Sequence, residues 1–142
     1  MKNTIMSRLD RFIIFLGRTF SGRNHDYTML KEDLPPELDW FSELDLWVDL
    51  GYLGIKTDYA AQQIEIPIKK PRKSQKNPEP HLTDEQKATN KAISQVRIFV
   101  EHAIGGIKRY NILVHRFRNH KVNFVDDVIA ICAGLWNFTL SY

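Results

Sequence analysis

The spacing of apolar and polar positions changes along the chain, from every second residue to every third or fourth. An aromatic and β-branched run over residues 11–20 predicts a strand. Apolar residues alternate with other residues from Leu44 to Leu50 and again from Ile64 to Ile68, and each pattern predicts a further short strand. Pro67 places the last strand at an edge or an end of a sheet, because proline has no N–H to donate to a neighbour.

A long amphipathic helix is predicted from Thr83 to Arg109. It begins with the Thr-x-x-Gln pattern of a capping box, in which Thr83 and Gln86 each satisfy a backbone N–H of the first turn. Its apolar residues recur at helical spacing and form one stripe that can dock on a sheet: Ile93, Val96, Val100, Ile104 and Ile107. The adjacent Gly105 and Gly106 indicate either a bend or a close approach by another backbone.

Three shorter helices complete the prediction, over residues 27–33, 35–42 and 124–137. The predicted order is strand, two helices, two strands, a basic loop and two helices, which is compatible with part of an α/β fold. The chain has 142 residues, enough for one hydrophobic core, so we expect residues 1–142 to form a single domain.

Positive charge is concentrated in two segments, although the net charge of the whole chain is only +3. Residues 69–76 and residues 108–121 each hold five lysines or arginines and no acid. Such clusters suit contact with DNA phosphates, and a solvated loop is the alternative for residues 69–76. The residues that we assign to phosphate contact from this pattern are Lys69, Lys70, Arg72, Lys73, Arg109, Arg116 and Arg118.

The cysteine content and the lengths of the apolar runs indicate where in the cell the protein is located. The single cysteine, Cys132, lies in an apolar run and gives no disulfide framework. The longest apolar runs, over residues 12–16 and 128–136, are far shorter than the roughly 20 residues of a membrane-spanning helix. The amino terminus lacks the apolar core of a signal peptide. We therefore expect a soluble cytoplasmic protein with no membrane partner.

One face of the long helix carries polar side chains beside the apolar stripe. At 100° per residue, Asn90, Arg97, Glu101 and Lys108 lie within about 40° of one another. Asp49 ends the strand before it, where α/β sheets place their ligands. Carboxylates such as Asp49 and Glu101 suit a divalent cation. The alternatives are an exposed i,i+4 pair of Glu101 with Arg97, a turn role for Asp49 and a structural ion pair for Arg97.

The spacing of these residues resembles that of the DDE transposases of bacterial insertion sequences, specifically the IS-five-like group. The pattern is Arg97-x3-Glu101-x6-Lys108, with Asn90 seven residues earlier and an apolar-Asp-x-Gly-Tyr segment around Asp49. The likeness runs from about residue 21 to residue 142.

Two further positions bear on the resemblance. Ser94 stands where the family signature has a tyrosine, three residues before the arginine. The family's His-Asp pair is matched by His25 and Asp26.

The resemblance implies a partial ribonuclease-H-like α/β fold, with a mixed sheet flanked by helices. It also implies metal-dependent cleavage and transfer of DNA strands. Asp49 and Glu101 would be the second and third catalytic acids and would bind a pair of Mg²⁺ or Mn²⁺ ions. Arg97 and Lys108 would contact DNA near the scissile phosphate, unless Arg97 instead orients Glu101. Supporting roles would fall to His25, Asp26 and Asn90.

The family's first catalytic aspartate has no counterpart that we recognise in this sequence. Asp10 is the only acid before the first predicted strand, and no Asp-Gly-Thr-like turn accompanies it. We therefore expect a truncated catalytic domain that lacks its opening strand or strands and does not cleave DNA alone. Its partners would be the DNA of transposon ends and either a second copy or a full-length transposase. The alternative is a non-catalytic DNA-binding or oligomerisation fragment that modulates a full-length transposase.

Overall fold

The computed structural model describes residues 1–141, and Tyr142 lies outside the described residues. The elements follow in the order β1 (Ile5–Ser7), β2 (Ile13–Leu16), α1 (Asp26–Asp33), β3 (Asp45–Trp47), α2 (Ile55–Asp58), β4 (Gln63–Glu65), α3 (Asp84–Lys108) and α4 (Phe124–Leu140). Short 3₁₀ turns lie at Leu50–Tyr52 and Asn111–Leu113. The mixed α/β class is confirmed, and the described strands form two sheets of two strands each.

The chain divides into two compact units. The first unit comprises Met1–Pro35 and Ile98–Tyr142, and the second comprises Pro36–Arg97. Helix α3 therefore contributes its residues up to Arg97 to the second unit and its later residues to the first.

The first unit is built on the antiparallel pair β1–β2 and helix α4. Ile5 lies opposite Leu16, and the pairing extends outward because the backbones of Lys2 and Phe20 exchange hydrogen bonds of 2.9 and 2.8 Å. A hydrophobic core joins β2, α3 and α4: Ile13, Ala103, Ile107, Val128, Cys132, Ala133 and Trp136. Burial of these apolar side chains is the main source of stability in this unit.

Asn137 and Trp136 attach α4 to the β2 region through polar contacts. The Asn137 side chain accepts a hydrogen bond from the Ile13 N–H at 2.8 Å and donates to the Ile13 carbonyl at 2.9 Å. The Trp136 indole N–H donates to the Arg11 carbonyl at 3.0 Å. The helix is therefore held in register on the strand by these hydrogen bonds as well as by apolar packing.

The second unit contains the parallel pair β3–β4. Asp45 lies opposite Gln63 and Trp47 lies opposite Glu65, with helix α2 in the connection between the strands. A parallel pair requires such a crossover because a tight turn cannot bring the second strand back in the same direction. Ile55 and Tyr59 are buried, and the Tyr59 ring lies 5.3 Å from that of Phe41.

Helix α3 confirms the capping prediction. The Thr83 N–H donates to the Gln86 side chain at 3.0 Å, and the Gln86 N–H donates to the Thr83 hydroxyl at 3.2 Å. At its other end, a Cβ atom at Gly106 would lie 2.5 Å from Cδ2 of Trp136, whereas one at Gly105 would meet nothing within 4 Å. The expected close approach is real at Gly106, but an indole ring makes it instead of a backbone.

The predicted helix over residues 35–42 is wrong, because those residues form turns and bends. Asp39 accepts hydrogen bonds from both the N–H and the hydroxyl of Ser42, at 3.2 and 2.7 Å. A short polar side chain that bonds nearby backbone in this way competes with helix formation. The predictions for α1, α3 and α4 are confirmed, and the three predicted strands are present but shorter.

Within residues 1–141, no helix combines the length and the apolar character that crossing a membrane requires.

Candidate functional site

Asp49 lies two residues after the end of β3, in the second unit. Its backbone caps the 3₁₀ turn Leu50–Tyr52, and its Oδ1 accepts a hydrogen bond from the Leu50 N–H at 2.6 Å. Its Oδ2 lies 3.1 Å from Nη2 of Arg97 on α3. Both carboxylate oxygens therefore have a donor, and the orientation of the side chain is fixed.

The pair of Asp49 and Arg97 is asymmetric in its exposure. The Asp49 side chain is 56% exposed, and the Arg97 side chain is 24% exposed. An ion pair with one partner this exposed contributes at most about 1 kcal/mol to stability, because water screens the attraction. The carboxylate is open to solvent and already faces a cationic group.

Glu101 lies on α3 in the first unit, one helical turn beyond Arg97, and is exposed. Its side chain makes no hydrogen bond or ion pair within residues 1–141. Lys108 is the last residue of α3 and is also exposed. Glu101 and Lys108 are therefore available for ligands outside the described chain.

Asn90 contacts backbone instead of another polar side chain. Its carboxamide accepts from the Ile68 N–H at 2.7 Å and donates to the Ile68 carbonyl at 3.0 Å. Both backbone groups of Ile68 are thereby satisfied by a residue of α3. Ile68 immediately precedes the first basic segment, residues 69–76, so Asn90 anchors one end of that segment.

The first basic segment has no helix or strand, and all of its basic side chains are exposed. None of these five side chains takes part in an ion pair among the residues that the structure describes. Lys69, Lys70, Arg72 and Lys73, the four proposed for DNA contact, are therefore free to meet phosphates.

The second basic segment, residues 108–121, begins at the last residue of α3 and lies in the first unit. Arg109, Arg116 and Arg118 are exposed, and the guanidinium of Arg109 lies 6.0 Å from the Trp136 ring. Phe117 packs edge-on against Phe124 with ring centroids 6.1 Å apart, so this stretch is attached to the start of α4. The exposed arginines on either side of Phe117 project from an anchored segment.

His25 and Asp26 lie at the start of α1. The His25 carbonyl accepts from the Met29 N–H at 3.0 Å, and its side chain makes no capping bond. Asp26 lies 3.1 Å from Nζ of Lys2, which also donates to the Asn24 carbonyl at 3.2 Å. These contacts order the chain between β2 and α1.

The divalent metal implied by the resemblance requires oxygen ligands. Asp49 fits as one such ligand, because it is a solvent-accessible carboxylate that already holds a cation. Across residues 1–141, no three side chains of His, Cys, Asp or Glu are grouped closely enough to hold a metal ion. Beyond the two expected acids, Asp49 and Glu101, ligands would have to come from DNA, from water or from outside these residues.

Two comparisons with known proteins give matches. The family model described as DDE superfamily endonuclease matches residues 1–137. A curated relative, the probable transposase for insertion sequence element IS702 of Microchaete diplosiphon, is 35% identical over 130 residues. That alignment covers 91% of this chain and 42% of the relative, so the chain spans less than half of the relative's length. No solved structure gives a significant match.

Proposed function

This chain belongs to the DDE superfamily endonucleases, and from that premise we propose that it is part of an insertion-sequence transposase that binds DNA and a divalent metal ion. The observation that carries the proposal is Asp49, which stands in the family's apolar-Asp-x-Gly-Tyr segment and is an exposed carboxylate, two residues after β3, with a donor on each oxygen. The finer assignments to the IS-five-like group and to a ribonuclease-H-like fold belong to the same proposal.

Asp49 and Glu101 are the proposed metal ligands, with Mg²⁺ or Mn²⁺ as the ion. When bound, the ion supplies activation of the attacking oxygen and stabilisation of the leaving oxygen in phosphodiester cleavage. Exposure of both carboxylates supports the assignment, because a ligand must be reachable from solvent and from DNA.

The proposed DNA contacts are electrostatic and independent of sequence. Phosphates are neutralised by the basic residues assigned in the two segments: Lys69, Lys70, Arg72, Lys73, Arg109, Arg116 and Arg118. Lys108 contacts a further phosphate. Each neutralised phosphate releases counterions, so affinity falls steeply as salt rises. The ends of the insertion sequence are the proposed natural DNA partner.

We also propose that this chain alone does not cleave DNA. We recognise no counterpart of the family's first catalytic aspartate in the sequence, and no group of three metal-ligating side chains exists within residues 1–141. Cleavage of transposon-end DNA by the purified chain in Mg²⁺, abolished by Glu101→Ala, would overturn this part of the proposal.

DNA binding is tested by fluorescence anisotropy with a labelled duplex over a range of salt concentrations. A variant with Lys69, Lys70, Arg72 and Lys73 changed to Gln should bind more weakly, and its slope of log affinity against log salt should fall by about 0.9 for each phosphate that the variant no longer neutralises. The matched control changes four exposed lysines elsewhere to Gln: Lys31, Lys56, Lys87 and Lys91. Equal weakening of DNA binding in both variants would contradict a specific role for the first segment.

A non-catalytic DNA-binding or oligomerisation fragment is the second candidate function. The two basic segments favour it, because all of their lysines and arginines are exposed and contact with phosphates needs no metal ligand. It predicts that Mg²⁺ changes neither the thermal stability nor the DNA affinity and that Asp49→Asn has no effect on either. Metal dependence of either quantity would exclude it.

A further inference from the structure

The guanidinium of Arg97 lies 3.1 Å from Oδ2 of Asp49, the carboxylate proposed above as a metal ligand. We propose, on the basis of the proposed function, that Arg97 is a placeholder cation: a divalent ion displaces it from Asp49, and the released guanidinium then binds a DNA phosphate. Metal binding and DNA binding would thereby be coupled through one ion pair.

A metal ion bound to Asp49 would compete with Arg97. Oδ1 of Asp49 accepts a hydrogen bond from the Leu50 N–H at 2.6 Å, and Oδ2 lies 3.1 Å from Nη2 of Arg97, so Oδ2 is the oxygen that faces a cation. A divalent ion bound to Oδ2 would place a second positive charge beside the guanidinium, and the two charges would repel each other. Metal binding would therefore weaken the ion pair of Asp49 and Arg97.

The second step concerns the fate of the released arginine. The Arg97 side chain is only 24% exposed, and a charge that is mostly removed from water requires an anionic partner. The planar guanidinium matches a phosphate with two parallel N–H donors. In a DNA-binding chain, the phosphate backbone is the available anion.

The coupling has a necessary consequence. If metal at Asp49 raises the affinity for DNA, then DNA must raise the affinity for metal by the same factor. Without a metal ion, the ion pair with Asp49 keeps Arg97 from binding a phosphate. The chain therefore binds DNA less tightly than it would with the Arg97 guanidinium released.

The test measures DNA affinity by fluorescence anisotropy in EDTA and in millimolar Mg²⁺. In EDTA, Asp49→Asn should raise the affinity and steepen the slope of log affinity against log salt by about 0.9, the effect of one additional neutralised phosphate. Asp45→Asn is the matched control, because Asp45 is an exposed carboxylate on β3 with no side-chain partner within residues 1–141. It removes the same charge without releasing Arg97.

The double variant Asp49→Asn with Arg97→Gln should lose the gain. In Mg²⁺ the wild-type affinity should approach that of Asp49→Asn. Asparagine also caps helical turns, so we expect Asp49→Asn to fold. If circular dichroism shows that Asp49→Asn does not fold, Arg97→Gln alone still tests the proposal. In that variant, Mg²⁺ should no longer raise the affinity for DNA.

Two results would overturn the placeholder role. One is an affinity of Asp49→Asn equal to that of Asp45→Asn, and the other is a gain that persists in the double variant. Either would show that the ion pair is purely structural. A wild-type chain that binds no DNA in any condition would instead refute the proposed function itself.

Discussion

The two adjacent glycines near the end of α3 should respond in opposite directions to the same substitution. A Cβ at Gly106 would lie 2.5 Å from Cδ2 of Trp136, far inside the normal separation of two carbon atoms. The indole ring has little room to retreat, because it is 8% exposed and its N–H donates to the Arg11 carbonyl. Gly106→Ala must therefore displace the ring or the helix.

The magnitude follows from two opposing contributions. Overpacking of a core costs about 1–3 kcal/mol, and the overlap with several ring atoms places this site near the upper end. Replacing a helical glycine by alanine returns up to about 1 kcal/mol. We expect Gly106→Ala to lower the free energy of unfolding by about 2 kcal/mol.

Gly105→Ala is the matched control, since a Cβ there meets nothing within 4 Å. It should raise the free energy of unfolding by about 0.5–1 kcal/mol. The two variants should then differ by roughly 10 °C in Tm for a chain of this size, measured by far-UV circular dichroism during heating. Equal Tm values for the two variants would refute the close packing of α4 on this turn of α3.

Three further predictions concern single contacts. Asn90→Ala removes both hydrogen bonds to Ile68 and should lower the free energy of unfolding by about 1–3 kcal/mol in urea denaturation, with faster hydrogen exchange at the Ile68 amide. Thr83→Ala breaks the capping box with Gln86 and should cost about 1 kcal/mol in the same assay. Burial raises the pKa of Tyr59 to about 12, from an ordinary value of 10.0. As the pH rises, the unfolded chain therefore loses the phenolic proton of Tyr59 before the folded chain does. The contribution of this burial to the free energy of unfolding is fully present below pH 10 and should be lost between pH 10 and 12. Tyr59→Phe should abolish that loss in urea denaturation repeated across alkaline pH.

Local signals in the sequence were sufficient for the long helix. Its first turn is set by hydrogen bonds between residues three positions apart, Thr83 and Gln86, and its buried face follows from helical spacing. A local contact also explains why the helix predicted over residues 35–42 is absent. The Asp39 side chain accepts hydrogen bonds from Ser42, and this turn takes the place of a helical turn. Proline at the start of that stretch is compatible with either outcome.

Contacts between distant residues could not be predicted from the sequence. Strand β1 forms in a stretch with no clear period, because its backbone pairs with β2. For the candidate site, the sequence indicated Asp49 and Arg97 separately and left a structural ion pair of Arg97 open, but it did not identify Asp49 as the partner. Likewise, Asn90 lies on the expected helix face, yet its bonds to Ile68 depend on where the chain before the basic segment packs.

The central claim is that Asp49 and Glu101 bind the divalent ion, and a Mn²⁺ titration followed by NMR of the isotope-labelled chain tests it most directly. The paramagnetic ion should broaden the amide signals of Leu50 and Glu101 before those elsewhere, and both Asp49→Asn and Glu101→Gln should weaken the effect. Broadening confined to other acidic residues and unchanged in both variants would contradict the assignment.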